Sequence, residues 1–253
     1  MKVAVAGGTG LVGSRVVARL TARGDEVVVL SRSHGVDLTT GDRLAESLRG
    51  VEVVVDTTSL ASTKPKDTVE FFRAVATNLQ GAGQAADVAR ILTLSIVGID
   101  GLGGRPYGHY DGKRAQEAAT EAGPVPTVIL RATQFHGFAG QMIDWTAKRG
   151  VLPMPRTPVQ TVDVDVVADH LVRLTTEQVD ADHVRFNLAG PEKRLLSELV
   201  KATAKARGQR LVVLPVWLPG ETPRRIRAGA LQAPAGSIIA GGTFDEWLAR
   251  STS

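Results

Sequence analysis

The sequence predicts an α/β fold with a doubly wound parallel sheet and a small C-terminal α/β lobe. Short β-branched runs alternate with stretches of helical spacing through the first half of the chain. The runs are almost continuously apolar, as in strands that helices cover on both faces. Near residue 150 the pattern changes and proline becomes frequent. We therefore expect a core domain over residues 1–150 and a capping lobe over residues 151–253, within one structural unit.

The first half is expected to contain five strands, each followed by a helical stretch. The strand candidates are Val3–Ala6, Glu26–Leu30, Glu52–Asp56, Arg90–Ser95 and Thr127–Arg131. An apolar stripe with helical spacing follows the third strand: Val69, Phe72, Val75 and Leu79. Alternation of this kind is typical of parallel strands joined by right-handed crossovers.

The second half is expected to be less regular. Residues 150–158, with Pro153, Pro155 and Pro158, are interpreted as a loop. Helices are predicted over Asp163–Leu174, Leu195–Arg207 and Phe244–Ala249, and strands over His183–Leu188 and Arg210–Val216. Asp163 and Asp165 are interpreted as capping carboxylates at the start of the first of these helices.

Composition narrows the functional classes. The chain has no cysteine, which excludes disulfides, thiolate metal sites and a cysteine nucleophile. No signal peptide or membrane-spanning stretch is evident, so we expect a soluble, cytoplasmic protein. The net charge is +4, but the basic residues are scattered and aromatics are only 4%, which argues against a nucleic-acid partner. The five histidines are dispersed without a metal-binding pattern, and no Gly-x-Ser-x-Gly nucleophile motif occurs.

The glycine pattern at the start of the chain predicts a dinucleotide site. Gly7, Gly10 and Gly13 directly follow the first strand and open the first helix. They permit a tight turn, a close approach of the pyrophosphate, and contact between helix and sheet. The intervening Thr9, Leu11 and Val12 then lie beside the phosphates, where the N-terminal N–H groups of the helix attract anions.

The end of the second strand favours NADP(H) over NAD(H). Arg32 stands 19 residues after Gly13, where NAD-preferring sites carry a carboxylate. An arginine suits the additional 2′-phosphate, and Ser31 and Ser33 could add hydroxyl donors. Asp37 follows a few residues later and keeps NAD as an alternative.

Several stretches resemble the atypical short-chain dehydrogenase/reductases, specifically the NmrA-like NAD(P)-binding group. These stretches are GGTGLVG, Gly50–Thr58, Leu94–Asp100, Lys113–Glu117, Leu130–Phe138 and Thr243–Leu248. The resemblance implies a Rossmann-like NAD(P)-binding domain whose C-terminal lobe closes over the substrate. It also implies that Thr57 and Thr58, after the third strand, lie along the cofactor.

The resemblance further implies a catalytic serine, tyrosine and lysine. Ser95 and Lys113 match the serine and the lysine, but the residue four before the lysine is His109 instead of tyrosine. Tyr110 is adjacent and Tyr107 lies two residues before His109. Either His109 or Tyr110 could face Lys113 if the helix extends that far back. If Asp111 is instead the N-cap of the helix, His109 and Tyr110 both lie in a loop and this geometry fails. A third alternative is that neither His109 nor Tyr110 is catalytic.

A last candidate group follows the fifth strand. By resemblance, Gln134, Phe135 and His136 lie near the nicotinamide and the substrate. Gln134 could orient a carboxamide or a carbonyl, and His136 could act as a second acid or base, although a lone histidine more often completes local hydrogen bonds.

Together these residues predict an NADP(H)-dependent oxidoreductase that acts on a carbonyl or an activated double bond of a small organic molecule. Ser95 would bind the substrate oxygen, His109 or Tyr110 would donate the proton, and Lys113 would hold the nicotinamide ribose. Two alternatives remain open. One is a regulatory protein that senses NADP(H) without turnover. The other is a non-redox isomerase or lyase that acts through His109.

Overall fold

The computed structural model describes residues 1–60, 62, 64–102, 108–146, 150–179 and 182–251. Its strands are β1 Lys2–Ala6, β2 Glu26–Leu30, β3 Val53–Asp56, β4 Arg90–Ile96, β5 Thr127–Ala132, β6 Val151–Pro155, β7 Pro158–Val159, β8 His183–Ala189, β9 Arg194–Leu195, β10 Val212–Val216 and β11 Ile238–Ile239. Its helices are α1 Gly13–Arg23, α2 Leu44–Ser47, α3 Pro65–Ala85, α4 Gly108–Glu121, α5 Phe138–Thr146, α6 Val164–Leu174, α7 Leu196–Ala206, α8 Glu221–Arg227 and α9 Phe244–Ser251.

The described residues form a seven-stranded central sheet in the order β11-β8-β5-β4-β3-β1-β2. The pairs of β1 with β2, β1 with β3, β3 with β4 and β8 with β11 are parallel. The predicted Rossmann-like doubly wound fold is therefore confirmed. The strand order reverses direction at β1, which is the switch point where open α/β sheets bind ligands.

The register brings the strand ends to one level. Ala6 of β1 is paired with Leu30 of β2 and with Asp56 of β3, and Asp56 is paired with Thr93 of β4. Residues just beyond these positions therefore meet at the carboxyl edge of the sheet. This register brings together the candidate residues after β1, β2 and β3.

The described residues divide into two compact units, and the predicted domain boundary near residue 150 stays a prediction. The first comprises Met1–Ile96, Pro106–Arg131 and Val167–Phe186. Its core contains Ala4, Leu30, Val54, Val75, Leu79 and Ile91, so the apolar strand runs and the predicted stripe of α3 bury together. The second comprises Val97–Arg105, Ala132–Val166 and Asn187–Ser253. Its core contains Ile143, Leu152, Met154, Leu199, Val200 and Phe244.

One loop prediction is wrong. Residues 151–155 form β6, which pairs in parallel with β10. Leu152 and Met154 are buried in the core of the second unit, while Pro153 is exposed. Proline is tolerated where a strand does not need every backbone N–H for its ladder, as in a two-stranded sheet.

Two further features of the chain are relevant to function. Asp163 Oδ1 accepts a hydrogen bond from the Asp165 N–H at 3.0 Å just before α6, as expected for a capping carboxylate. Across the described ranges, no helix combines the length and the apolar character needed to cross a membrane.

Candidate functional site

The glycine-rich turn between β1 and α1 has a geometry that side chains would obstruct. Gly7 has φ +72°, in the left-handed region, and the Gly10 N–H donates to the Gly7 carbonyl oxygen at 2.9 Å. A Cβ on Gly13 would overlap that carbonyl oxygen and lie 2.7 Å from Thr57 Oγ1. Thr9 and Leu11 are exposed and Val12 is buried. No acidic residue lies in the first turn of α1, so its N–H groups suit an anion, and the turn fits a dinucleotide.

The two threonines after β3 are held inside the first unit. Thr57 donates from its backbone N–H and from Oγ1 to the Ala6 carbonyl oxygen, at 2.9 and 2.8 Å. Thr58 Oγ1 donates to Asp56 Oδ1 at 2.7 Å. A Cβ on Gly7 would lie 3.1 Å from the Thr57 backbone, so this segment forms one wall of the glycine turn.

The segment after β2 exposes polar side chains. Arg32 and Ser33 lie in a short 3-10 turn and are exposed, and Ser31 Oγ is 2.9 Å from Ser33 Oγ. Asp37 accepts hydrogen bonds from Thr39, from Oγ1 at 2.6 Å and from the backbone N–H at 2.8 Å. These bonds, with the nearby Arg32 charge, hold the pKa of Asp37 below its usual value.

Lys113 is the best-connected candidate residue. It is 5% exposed, and Nζ donates to the carbonyl oxygens of Thr58 at 3.0 Å and Leu94 at 2.9 Å and to Gln116 Oε1 at 2.8 Å. An ammonium group has three protons, so these bonds use all of its donors. Burial lowers the pKa of Lys113 to about 8, although the charges of Asp56 and Glu117 act in the opposite direction.

Two partners of this lysine network were missed by sequence reasoning. Gln116 Nε2 donates to Asp56 Oδ2 at 2.7 Å, and Asp56 is 1% exposed. Gln116 lies one helical turn after Lys113, so its spacing could have indicated a shared face. The position of Asp56 could also have indicated such a network, because a carboxylate at the end of a buried apolar strand needs hydrogen-bond or charge partners. The network joins β3, β4 and α4.

Ser95 lies near the end of β4 with its hydroxyl buried. The residue is 3% exposed, and Oγ has no hydrogen-bond partner among the described residues. An unsatisfied buried hydroxyl costs about 1–3 kcal/mol, so such a group is expected to bond a ligand or a water molecule. Ser95 directly follows Leu94, whose carbonyl oxygen Lys113 holds.

His109 and Tyr110 both lie in α4, which begins at Gly108. The alternative in which Asp111 caps the helix and leaves both residues in a loop is therefore wrong, because the helix extends one turn further back. His109 packs edge-on against Phe72, with the ring centroids 5.6 Å apart. Burial and the Lys113 charge lower the pKa of His109 to about 4. Tyr107 lies outside the described residues.

The three candidates after β5 belong to the second unit. Gln134 has neither amide atom hydrogen-bonded within the described ranges. Phe135 forms an isolated bridge with Val162. His136 Nδ1 lies 2.8 Å from Thr161 Oγ1, and its ring contacts Phe244 and Trp247. Burial lowers the pKa of His136. Its Nε2, like the Gln134 amide, has no hydrogen-bond partner among the described residues, so both side chains retain hydrogen-bonding capacity.

No group of three or more potential metal ligands clusters in the part of the chain that the structure describes.

The candidate residues fall into two groups, one in each compact unit. The structure brings the glycine turn, Ser31–Ser33, Thr57, Thr58, Ser95, His109, Tyr110 and Lys113 together in the first unit, and Gln134, Phe135 and His136 in the second.

Solved structures share this fold at low sequence identity. MoeE5 in complex with UDP-glucuronic acid and NAD is 20% identical, with a TM-score of 0.73 and coverage of 99% of this chain and 100% of that one. An NADPH-dependent quinone oxidoreductase from Escherichia coli, complexed with NADPH, is 18% identical, with a TM-score of 0.73 and the same coverage. The triphenylmethane reductase of Citrobacter sp., complexed with NADP(H), is 17% identical, with a TM-score of 0.72 and full coverage of both chains.

Among curated proteins, no sequence matches this chain. The NAD dependent epimerase/dehydratase family model matches residues 3–145, which include the glycine turn, Ser95 and Lys113. More than half of the chain lies within that match. The chain therefore belongs to the NAD-dependent epimerase/dehydratase family, within the short-chain dehydrogenase/reductase superfamily.

Proposed function

We propose that this protein is an NADP(H)-dependent oxidoreductase of the NmrA-like type that reduces a carbonyl or an activated double bond of a small organic molecule. The observation that carries the proposal is the buried Ser95 hydroxyl without a partner in the described residues. It lies on β4 at the carboxyl edge of a dinucleotide-binding sheet. The bound nicotinamide supplies the hydride.

Ser95 is proposed to donate a hydrogen bond to the substrate oxygen. A neutral oxygen that gains negative charge during hydride transfer accepts a stronger hydrogen bond, which lowers the barrier. Lys113 supports this role through the Leu94 carbonyl oxygen, because that bond fixes the backbone next to Ser95. With its three donors bonded inside the protein, Lys113 would reach the nicotinamide ribose only by exchanging one of them.

Tyr110 is the better candidate for the proton donor. With a pKa of about 4, His109 is a neutral imidazole near pH 7, and a neutral imidazole is a poor acid. Tyr110 lies three residues before Lys113 in α4, on a neighbouring position of the helix surface. A cation beside a phenol favours the phenolate that proton donation leaves behind.

A preference for NADP(H) is supported by the segment after β2. Arg32 is exposed where a 2′-phosphate would approach, and no carboxylate follows the strand directly. Asp37, which could otherwise bind ribose hydroxyls, accepts two hydrogen bonds from Thr39. Both bonds are accepted by Oδ1, so this one oxygen of Asp37 is already engaged.

The first test is titration of the purified protein with NADPH, NADP+, NADH and NAD+ by calorimetry. We expect the tightest binding for the NADP(H) forms and a loss of about tenfold in Arg32→Ala. Arg49→Ala, which removes an exposed arginine elsewhere, is the matched control. Failure of every dinucleotide to bind would contradict the enzyme proposal and the sensor alternative together.

The second test is turnover. NADPH oxidation is followed with a panel of aldehydes, ketones and quinones, in the wild type and in Ser95→Ala, Tyr110→Phe and His109→Phe. We expect Ser95→Ala and Tyr110→Phe to lower kcat by at least about a hundredfold, with dinucleotide affinity retained. An unchanged kcat in both variants would overturn the assigned roles.

A non-redox isomerase or lyase is the second candidate, because the His109 imidazole is unprotonated near pH 7 and can act as a base, although its pKa of about 4 makes it a weak one. It predicts product formation without net consumption of the dinucleotide. It also predicts that His109→Phe removes the activity while Tyr110→Phe does not.

A further inference from the structure

The turn after β2 holds a polar cluster formed by Ser31, Ser33 and His34. His34 Nδ1 lies 2.8 Å from Ser31 Oγ and 3.2 Å from Ser33 Oγ, and the two serine oxygens are 2.9 Å apart. We propose that His34 and Arg43 complete a phosphomonoester site for the 2′-phosphate of NADP(H), and that His34 sets the direction of the serine protons. This inference rests on the proposed preference for NADP(H).

Three mutually close atoms share few protons. Each serine hydroxyl has one proton, and a phosphate at physiological pH mainly accepts hydrogen bonds. If both hydroxyls donate to phosphate oxygens, their own oxygens can only accept from within the triangle. His34 Nδ1 then has to carry a proton and donate it to Ser31 Oγ or Ser33 Oγ. One Nδ1–H can satisfy one serine oxygen, so the imidazole leaves the hydroxyl of that serine to donate outward.

Arg43 brings a second guanidinium to the same turn from the residue before α2. Its Nη1 lies 3.4 Å from the position that a Cβ on Gly35 would occupy, and Gly35 ends the 3-10 turn of Arg32 and His34. Its ion pair with Glu46 is 4.0 Å long and both side chains are exposed. Exposed ion pairs of this kind contribute little to stability. The guanidinium can therefore turn to a stronger anion.

The charge around the cluster is favourable to a phosphate. Arg32, Arg43 and the imidazole contribute the donors. The acidic residues nearest along the chain are Asp37, three residues after His34, and Asp42, directly before Arg43. The Asp37 carboxylate is close enough to Arg32 for the arginine charge to lower its pKa, and its Oδ1 accepts two hydrogen bonds from Thr39. Charge-assisted bonds from arginine to phosphate are among the stronger hydrogen bonds in proteins.

The test compares ligands that differ only by the phosphate. Calorimetry measures adenosine 2′,5′-bisphosphate against AMP, and NADPH against NADH, for the wild type and four variants. His34→Leu removes the imidazole, while His34→Asn keeps an amide N–H close to the position of Nδ1. Arg43→Ala removes the second guanidinium, and Arg49→Ala removes the same charge from an exposed position with no contact to this cluster among the described residues.

We expect His34→Leu and Arg43→Ala to weaken the phosphate-bearing ligands about tenfold and to leave AMP and NADH within about twofold. His34→Asn should restore most of the affinity, and Arg49→Ala should match the wild type. Equal loss for both members of a ligand pair, or no loss at all, would overturn the inference. If the wild type itself favours NADH, the proposed cofactor preference fails instead.

Discussion

The Lys113 ammonium group donates a 2.9 Å hydrogen bond to the carbonyl oxygen of Leu94, the residue that precedes Ser95. The same group bonds the Thr58 carbonyl oxygen at 3.0 Å, beside the glycine turn. One buried charge therefore connects the backbone next to the proposed substrate-binding hydroxyl with the segment that walls the glycine turn. Lys113 has a positioning role in this arrangement.

Lys113→Met should destabilise the protein by about 3 kcal/mol or more. Methionine fills a similar volume, but it leaves two backbone carbonyls and Gln116 without their donor, and it removes the cation near Asp56 and Glu117. Urea denaturation measures the change in the free energy of unfolding. Lys201→Met, at an exposed position in α7, is the control and should change it by less than about 0.5 kcal/mol. Equal urea midpoints for Lys113→Met and Lys201→Met would contradict this positioning role of Lys113.

His109 should not titrate between pH 5 and pH 8, because its pKa is about 4 in the folded protein. The ring resonances of His109 in NMR spectra measure this directly. In the unfolded chain His109 has a pKa near 6.5, so between pH 4 and pH 6.5 this residue binds more protons in the unfolded chain than in the folded one. The contribution of the neutral His109 to the free energy of unfolding is therefore complete above pH 6.5, and it is lost, by up to about 3 kcal/mol, as the pH falls towards 4. In His109→Gln this part of the acid limb should flatten, whereas an unaltered slope would contradict the assignment.

The buried ion pair between Arg131 and Glu117 should show strong coupling. Both side chains are nearly inaccessible, and Nε donates to Oε1 at 2.8 Å while Nη2 donates to Oε2 at 2.5 Å. Arg131→Met or Glu117→Leu alone leaves a buried unpaired charge and should cost about 3–5 kcal/mol. The double variant should cost less than the sum, as measured by a double-mutant cycle. The exposed pair Lys66–Glu70 is the control, with coupling below about 0.5 kcal/mol.

Gly13→Ala should lower NADPH affinity by more than about tenfold, because its Cβ would overlap the Gly7 carbonyl oxygen and distort the turn. Gly81→Ala is the matched control. It lies in α3 with nothing within 4 Å of the added Cβ, so affinity should be unchanged and stability should rise by about 0.5–1 kcal/mol. Calorimetry and urea denaturation give both values. Normal NADPH binding by Gly13→Ala would exclude the glycine turn as the pyrophosphate site.

The strands of the first half were predictable because their signals are local. The predicted and observed bounds agree within one residue, as for Glu26–Leu30, since apolar β-branched runs end at glycine, serine or threonine. The start of α4 was not predictable in this way. Gly108 is a weak start signal and Asp111 a strong one, yet Thr68 Oγ1 bonds the Gly108 carbonyl oxygen at 2.7 Å from α3. A contact between residues 40 positions apart leaves no mark on the local pattern.

Local patterns of the sequence were sufficient to predict the doubly wound sheet and the tight turn at Gly7, Gly10 and Gly13, because periodicity and steric demands act over a few neighbouring residues. The environment of the candidate catalytic residues depends on long-range contacts. Lys113 has its partners on β3, β4 and α4, and His109 acquires its low pKa from burial against Phe72 and from the Lys113 charge. Burial and charge proximity depend on which elements come together in space, and that information is distributed over the whole chain.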